Sequence, residues 1–260
     1  MEQRKSVSSI RENNEDLYGD YYNKSSLWFS FRYDTQIKRK TALYLIQRAG
    51  LRMKNLRVLD IGFGSGAILF SFDRSCGIFG VEISDSAIRQ AKIKSAKLGY
   101  KEYGFHYTRD GELEYLDGSF DLVIASHVLE HVEDDQHMLQ EIFRVLKLGG
   151  AAVFLVPINE RYHDPKHVRQ YTPSGFLHLL RQSGFRNVLM TIENELLFYL
   201  VEKFYFKGYN KQWHVAGPII VALFNLPTSI LPFSAHRIMD RLFMLFGLKP
   251  RQFGCVVRVE

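Results

Sequence analysis

The chain is poor in cysteine: Cys76 and Cys255 stand far apart, form no CxxC pair and supply no disulfide framework. That pattern fits a reducing compartment. The opening residues, "MEQRKSVSSI", lack the apolar run of a secretory signal, so a cytoplasmic protein is expected. Internal repeats and low-complexity tracts are also missing. One absence is local: residues 212–236, "QWHVAGPIIVALFNLPTSILPFSAH", contain no Asp, Glu, Lys or Arg. Pro218, Pro227 and Pro232 nevertheless rule out one straight membrane-spanning helix, because interior prolines remove hydrogen bonds that lipid cannot replace.

What is present suits a folded α/β protein. Its 260 residues allow one domain with insertions, and 46% hydrophobic and 24% charged residues are ordinary for a globule. A net charge of +6 favours anionic partners without choosing among them. The 20 Phe and 14 Tyr point either to an aromatic-lined cavity or simply to an aromatic core.

Apolar periodicity becomes rhythmic after a helix predicted over "DTQIKRKTALYLIQRAG", which ends at Gly50. "RVLDIG" reads as a buried strand, with a helix over "SGAILFSF". "CGIFGVEI" is a second strand, after which Ser84 caps a helix stopped by Gly99. "YGFHYTRD" and "FDLVIAS" follow as strands. A helix capped by Asp134 or Asp135 then runs to Gly149 and Gly150, and "AAVFLVP" is the fifth strand. "TPSGFLHLLRQSGF" is another helix, and "RNVLMTIE" and "FGCVVRV" are the last strands. Strands alternating with helices predict a doubly wound, mostly parallel seven-stranded sheet with an antiparallel last strand.

In such sheets ligands bind beyond the carboxyl ends of the strands. Gly62, Gly64 and Gly66 lie there, allowing a tight turn and close approach of a ligand to the backbone. "GFGSGA" also satisfies the dinucleotide fingerprint G-x-G-x-x-[GA], by itself a weak signal. A carboxylate beside a phosphate cradle would repel it, so Asp60 argues for a ligand with a positive charge. Glu82 ends the second strand, where it can accept ribose hydroxyls, and Asp110 ends the third. A nucleoside with a cationic tail satisfies all three.

"VLDIGFGSG", "GVEIS", "DGELEYLDGSFDLVIASHVLEHVED", "EIFRVLKLGG" and "DPKHVRQYTPSGFLHLLRQSGF" together resemble the class I S-adenosylmethionine-dependent methyltransferases, in their small-molecule (methyltransferase type 11-like) subgroup. The resemblance covers roughly Arg57 to Met190 plus the closing strand. It departs at Leu148, where a proline is common, and in a shortened run after Asp110. It implies S-adenosylmethionine as cofactor and S-adenosylhomocysteine as product. Gly62, Phe63, Gly64 and Gly66 would hold the methionine portion with Asp60 near its ammonium, Glu82 and Ile83 would border the ribose, Asp110 and Gly111 the adenine, and Ser126 the sulfonium side.

Methyl transfer to a hydroxyl or amine benefits from a base near neutral pKa. His127 and His131, in "SHVLEHVED", are the catalytic candidates; for His131 the alternative is a purely structural bond to the loop backbone. His163, His167, Arg169 and Tyr171, from "YHDPKHVRQYT", could reach the acceptor, with Tyr21 and Tyr22 of the aromatic N-terminal segment closing over it. His163 and His167 are four apart, but Pro165 and the lack of further nearby ligands argue against a metal, and none is expected.

The expected layout is an N-terminal cap (1–50), a cofactor-binding core (51–192 with 252–260) and a hydrophobic helical insertion (193–251). Within the insertion Ser234 is expected to cap "AHRIMDRLFMLFG", with Ile238, Met239, Leu242, Phe243, Leu245 and Phe246 on one face and Arg237, Asp240 and Arg241 on the other. With Lys203, Lys207, Lys211, Lys249 and Arg251 flanking it, residues 212–246 would suit peripheral contact with an anionic inner membrane face, a lid over a lipid-linked acceptor, or a packing cap or homodimer surface. Three rival functions remain: a catalytically silent cofactor-binding module, a nicotinamide-dependent oxidoreductase, and nucleic-acid methylation, the last without any recognition module.

Overall fold

A computed structural model describes residues 33–108, 111–160, 164, 166–194, 223, 225 and 229–260. Seven strands form one sheet: β1 (Arg57–Ile61), β2 (Gly77–Glu82), β3 (Tyr103–Tyr107), β4 (Phe120–Ser126), β5 (Leu146–Pro157), β6 (Asn187–Asn194) and β7 (Gln252–Arg258), in the order β3-β2-β1-β4-β5-β7-β6. The first five pair in parallel, and β7 runs antiparallel between β5 and β6. Around it lie α1 (Tyr33–Arg48), α2 (Asp85–Leu98), α3 (Asp135–Val145), α4 (Pro173–Gln182) and α5 (Phe233–Leu245).

The alternation of side chains along each strand feeds two apolar layers. Leu59, Ile61, Val123, Ala125, Phe154 and Val156 face α3 and α4, which contribute Leu139, Ile142, Phe176 and Leu180. Val58, Leu122, Ile124, Val153 and Leu155 face α1 and α2, which contribute Leu45, Ile46, Ile88 and Ala91. Helix α1, within the expected 1–50 cap, thus packs into a main layer. Buried Phe154 meets Phe176 and Phe185 edge-on, so among the described residues these aromatics are core.

Predicted caps form where the residue chemistry is local. Ser84 accepts from the Ala87 N–H, Asp134 from His137 and Thr172 from Gly175, and Gly99 closes α2 at φ +79°. Three boundaries differ. The helix expected over "SGAILFSF" contracts to a 3₁₀ turn, Leu69–Ser71, because Gly66 is left-handed at φ +69° and the chain is extended again at Phe72. Helix α3 ends at Val145 instead of running to Gly149, since buried Leu146 already pairs with Phe120 as the start of β5. Pro232, not Ser234, stands at the N-cap of α5.

The face of α5 is also reversed. His236 and Asp240 are buried, and Met239 and Phe243 pack with Tyr33 and Ile37 of α1, whereas Ile238, Leu242, Leu245 and Phe246 are exposed. Helix α5 turns His236, with Met239 and Phe243, toward α1 and leaves Arg241 exposed. Arg251, expected among the basic flanks, is buried and donates to the Asn159 carbonyl. No helix among the described residues is long and apolar enough to cross a membrane. Tyr21, Tyr22, Asp110, His163 and nearly all of 195–228 lie outside the described residues.

Candidate active site

The order of the sheet places the change of winding direction at β1, which pairs with β2 on one side and β4 on the other. The loops leaving β1, β2 and β4 therefore converge at one edge. The β1 loop turns through three left-handed glycines, at φ +63° (Gly62), +51° (Gly64) and +69° (Gly66). A Cβ on Gly62 would stand 2.4 Å from Val128 Cγ2, so this glycine also lets the β1 and β4 loops touch. Phe63 does not turn its ring outward: it is buried against Phe105, with centroids 5.2 Å apart, beneath Gly80. Only its backbone belongs to the loop surface.

Two carboxylates define this half. Asp60 is 2% exposed, and burial, followed by the neighbouring charge of Glu82, pushes its pKa well above the usual carboxylate range. Glu82 is also raised by burial, against the pull of three backbone donors. Its Oε2 accepts from Gly64 N–H at 2.9 Å, and its Oε1 from Ile83 at 2.8 Å and Ser84 at 3.3 Å. A carboxylate offers about four acceptor positions. Oε2 thus retains one, and the longer Ser84 bond is the one a hydroxyl would displace. Ile83 itself serves through its N–H.

On the far side of Glu82, Gly111 is left-handed at φ +83° and opens a loop that α3 holds in place. Arg144 donates to the Leu113 and Tyr115 carbonyls and to Asp117, while Glu141 accepts from Leu113 N–H and pairs with Arg144. Glu141 is lowered, chiefly by Arg144. Arg144 and Glu141 were not singled out in the sequence because an i, i+3 ion pair on a helix reads as a solvated face.

Beyond Ser126, at the end of β4, His127 adopts φ +55° and donates its N–H to the Leu155 carbonyl. A non-glycine residue there costs on the order of 1–3 kcal/mol. Its ring enters a buried polar chain whose tautomers are fixed step by step. The Thr41 hydroxyl donates to the Ile37 carbonyl and so accepts from Asn194 Nδ2 at 2.7 Å and Gln252 Nε2 at 3.3 Å. Asn194 Oδ1 takes the other Gln252 proton at 2.9 Å, leaving Gln252 Oε1 to accept from His127 Nε2 at 2.9 Å. His127 therefore carries its proton on Nε2. Burial, with Lys38 adding, lowers its pKa well below the ordinary histidine value.

His131 Nδ1 lies 3.1 Å from the Lys166 carbonyl, an acceptor only, so Nδ1 carries the proton and Nε2 the lone pair. Burial, then His167, lowers its pKa to about 4. His167 packs edge-on to His131 with centroids 4.8 Å apart, and its Nδ1 stands 2.5 Å from Glu160 Oε1. Burial opposes its charged form, yet Glu160, Glu130 and Asp164 together raise its pKa. Between the rings sits Glu130, fully buried, its pKa raised by burial to about 7. Glu130 Oε1 is 3.5 Å from His127 Nδ1 and 4.0 Å from His131 Nε2, and among the described residues neither carboxyl oxygen receives a hydrogen bond.

Tyr171 and Arg169 are framework. The Tyr171 hydroxyl donates to Asp135 Oδ2 at 2.7 Å and lies 3.2 Å from the Leu129 carbonyl. Arg169 donates to the Leu129, Val132 and Glu133 carbonyls and pairs with Asp135. Together they clamp the loop that carries Glu130 and His131, and Tyr171 is buried, not presented to an acceptor. Glu130 was visible inside "HVLEH" but reads as a solvated loop carboxylate. Glu160, Gln252, Asn194 and Thr41 left no local signal, because only the folded sheet joins them to the β4 loop.

Residues 52–173 match the family described as a methyltransferase domain. The 27-O-demethylrifamycin SV methyltransferase of Amycolatopsis mediterranei (strain S699) is 32% identical over 139 residues, 52% of this chain and 49% of that protein. A ubiquinone biosynthesis O-methyltransferase of Pseudomonas aeruginosa (strain LESB58) is 31% identical over 117 residues, 45% of this chain and 49% of that one. The demethylmenaquinone methyltransferase of Lactococcus lactis subsp. lactis (strain IL1403) is 31% identical over 136 residues, 51% and 52% of the two chains. The chain thus spans about half the length of these curated relatives. A solved SAM dependent methyltransferase from Aquifex aeolicus superposes with a TM-score of 0.56 at 14% identity, over 87% of this chain and 93% of that one, a likeness of fold alone.

Proposed function

We propose, from the match of residues 52–173 to the methyltransferase domain family, that this chain is a class I S-adenosylmethionine-dependent methyltransferase and methylates a hydroxyl of an apolar small-molecule or lipid-linked acceptor. The observation that carries this reading is the pair of buried carboxylates, Asp60 and Glu82, at the ends of β1 and β2 around a left-handed glycine loop. Two carboxyls, both pushed upward by burial and Asp60 further by the charge of Glu82, welcome a cation and repel a pyrophosphate. The names of two relatives specify methylation at oxygen, which supports a hydroxyl acceptor.

When bound, S-adenosylmethionine supplies an activated sulfonium methyl. Asp60 would face its ammonium, Glu82 Oε2 and the Ile83 edge would take the ribose hydroxyls, and the Gly111 loop would border the adenine and Ser126 the sulfonium side. The protein aligns the acceptor and excludes water, worth up to about 7–11 kcal/mol in well-oriented reactions. The acceptor proton leaves toward the β4 loop. His127 Nε2 is committed to Gln252, so it orients Glu130 and is not the receiving base. His131 Nε2 carries the free lone pair and receives the proton; Glu130, with the higher pKa of the two, is where it rests. His167 borders the same space.

Calorimetry with S-adenosylhomocysteine and with NAD tests the cofactor reading: affinity for the first and none for the second is expected, and the reverse would return the chain to the dinucleotide-binding proteins. Transfer of a labelled methyl group to a panel of phenols and lipid-linked phenols tests the acceptor class.

A further inference from the structure

The polar cluster of the β4 loop is rich in lone pairs and poor in protons. His127 is protonated on Nε2, so its Nδ1 turns a lone pair toward Glu130 Oε1 at 3.5 Å. His131 is protonated on Nδ1, so its Nε2 lone pair lies 4.0 Å from the same oxygen. Glu130 is completely buried, and among the described residues neither oxygen receives a hydrogen bond. A buried carboxyl flanked by acceptors costs several kcal/mol to ionise unless a cation joins it.

His167 completes the set. Ligand atoms of Glu130, His131 and His167 all lie within 4.8 Å of one another. Both rings are held at Nδ1 by oxygen, His131 by the Lys166 carbonyl at 3.1 Å and His167 by the Glu160 carboxylate at 2.5 Å. This is how proteins orient metal-binding imidazoles: an outer oxygen fixes the proton on one nitrogen and leaves the other for the ion. Two imidazoles and one carboxylate suit Zn²⁺ and its first-row neighbours, with positions left over for further ligands.

We propose that Glu130, His131 and His167 bind one divalent transition-metal ion, with Glu160 and Lys166 orienting the imidazoles, and that the open positions accept the hydroxyl of the acceptor. The three ligands come from the β4 loop and from the segment after β5, so the ion also ties these two walls together. In the loaded protein His131 Nε2 is a ligand. The ion then takes over the acidification of the hydroxyl, since bound divalent metals lower the pKa of a coordinated O–H by several units. This role rests on the methyl-transfer reading; the binding does not.

The test uses the full chain, stripped with a chelator and titrated with Zn²⁺ alone against a chromophoric competitor, with Co²⁺ absorption as a second signal. One ion per chain is expected. Glu130→Gln and His167→Ala should each weaken Zn²⁺ by about 100-fold or more, and Glu160→Gln, which keeps all three ligands, by about 10- to 100-fold. Affinity for S-adenosylhomocysteine, within about twofold of the parent, verifies that each variant is folded. A stripped parent chain that binds S-adenosylhomocysteine but no stoichiometric Zn²⁺ would overturn the proposal and leave the methyltransferase reading standing. So would variants that retain parental Zn²⁺ affinity. Zn²⁺ binding lost in the variants, in a chain without affinity for S-adenosylhomocysteine, would support the metal site and sink the other reading.

Discussion

The two halves of the cleft are finished to different degrees. In the cofactor half, Glu82 is met by three backbone N–H groups from residues near it in the loops. In the acceptor half, Glu130 is equally deep but receives none, although three imidazoles crowd it. The first half is built from the neighbouring loops of β1 and β2, whose backbone N–H groups satisfy its carboxylate. The second is built from β4, the segment after β5, and β7.

The largest effect that would break this contrast is loss of Asp60. Asp60→Ala should lower affinity for S-adenosylhomocysteine by about 100-fold or more, as truncating one member of a buried charge pair does; calorimetry showing unchanged affinity would remove the cation-binding role. Next comes His131→Ala, expected to cut turnover by about 100-fold with S-adenosylhomocysteine affinity within about twofold. An unchanged rate would reduce His131 to a brace for the Lys166 carbonyl.

Gly62→Ala acts on the seam between the halves. With φ at +63° and the new methyl 2.4 Å from Val128 Cγ2, destabilisation of about 1–3 kcal/mol is expected in chemical denaturation. The smallest effect sharpens the comparison through pH. Asp60 and Glu82 have raised pKa values in the folded chain, so the folded state binds the extra protons. Stability is therefore greatest on the acid side and declines as pH rises through the raised values. Measured against Asp60→Asn, the parent's thermal midpoint without ligand should fall from about pH 5 to about pH 8. The gain from S-adenosylhomocysteine should widen over the same interval, because its ammonium meets carboxylates increasingly ionised. Asp60→Asn should flatten both trends.

The succession of strands and helices along the chain, the caps at Ser84 and at Asp134 or Asp135, and the carboxylates at the ends of β1 and β2 were legible because each depends on neighbours in sequence. Boundaries failed where tertiary pairing overrode local pattern, as at Leu146, which joins β5 because Phe120 offers it a partner. The reversal of α5 has the same origin. Its pattern admits an apolar stripe, but Tyr33 and Ile37 meet the side bearing His236 and Asp240. In the site, Asp60 and the glycines announced themselves, whereas Glu160 and Gln252 reach the β4 loop only after the sheet has closed.

Thr41 shows how far that closure extends. Its single hydroxyl receives two side-chain amides and gives its own proton to Ile37, so every bonding position on it is occupied. Valine has the same shape and would leave both amides stranded, freeing Gln252 to rotate and His127 to change tautomer. Helix α1 is consequently not interchangeable scaffolding: a chimera that borrows it from a relative must import threonine, asparagine and glutamine as one heritable unit.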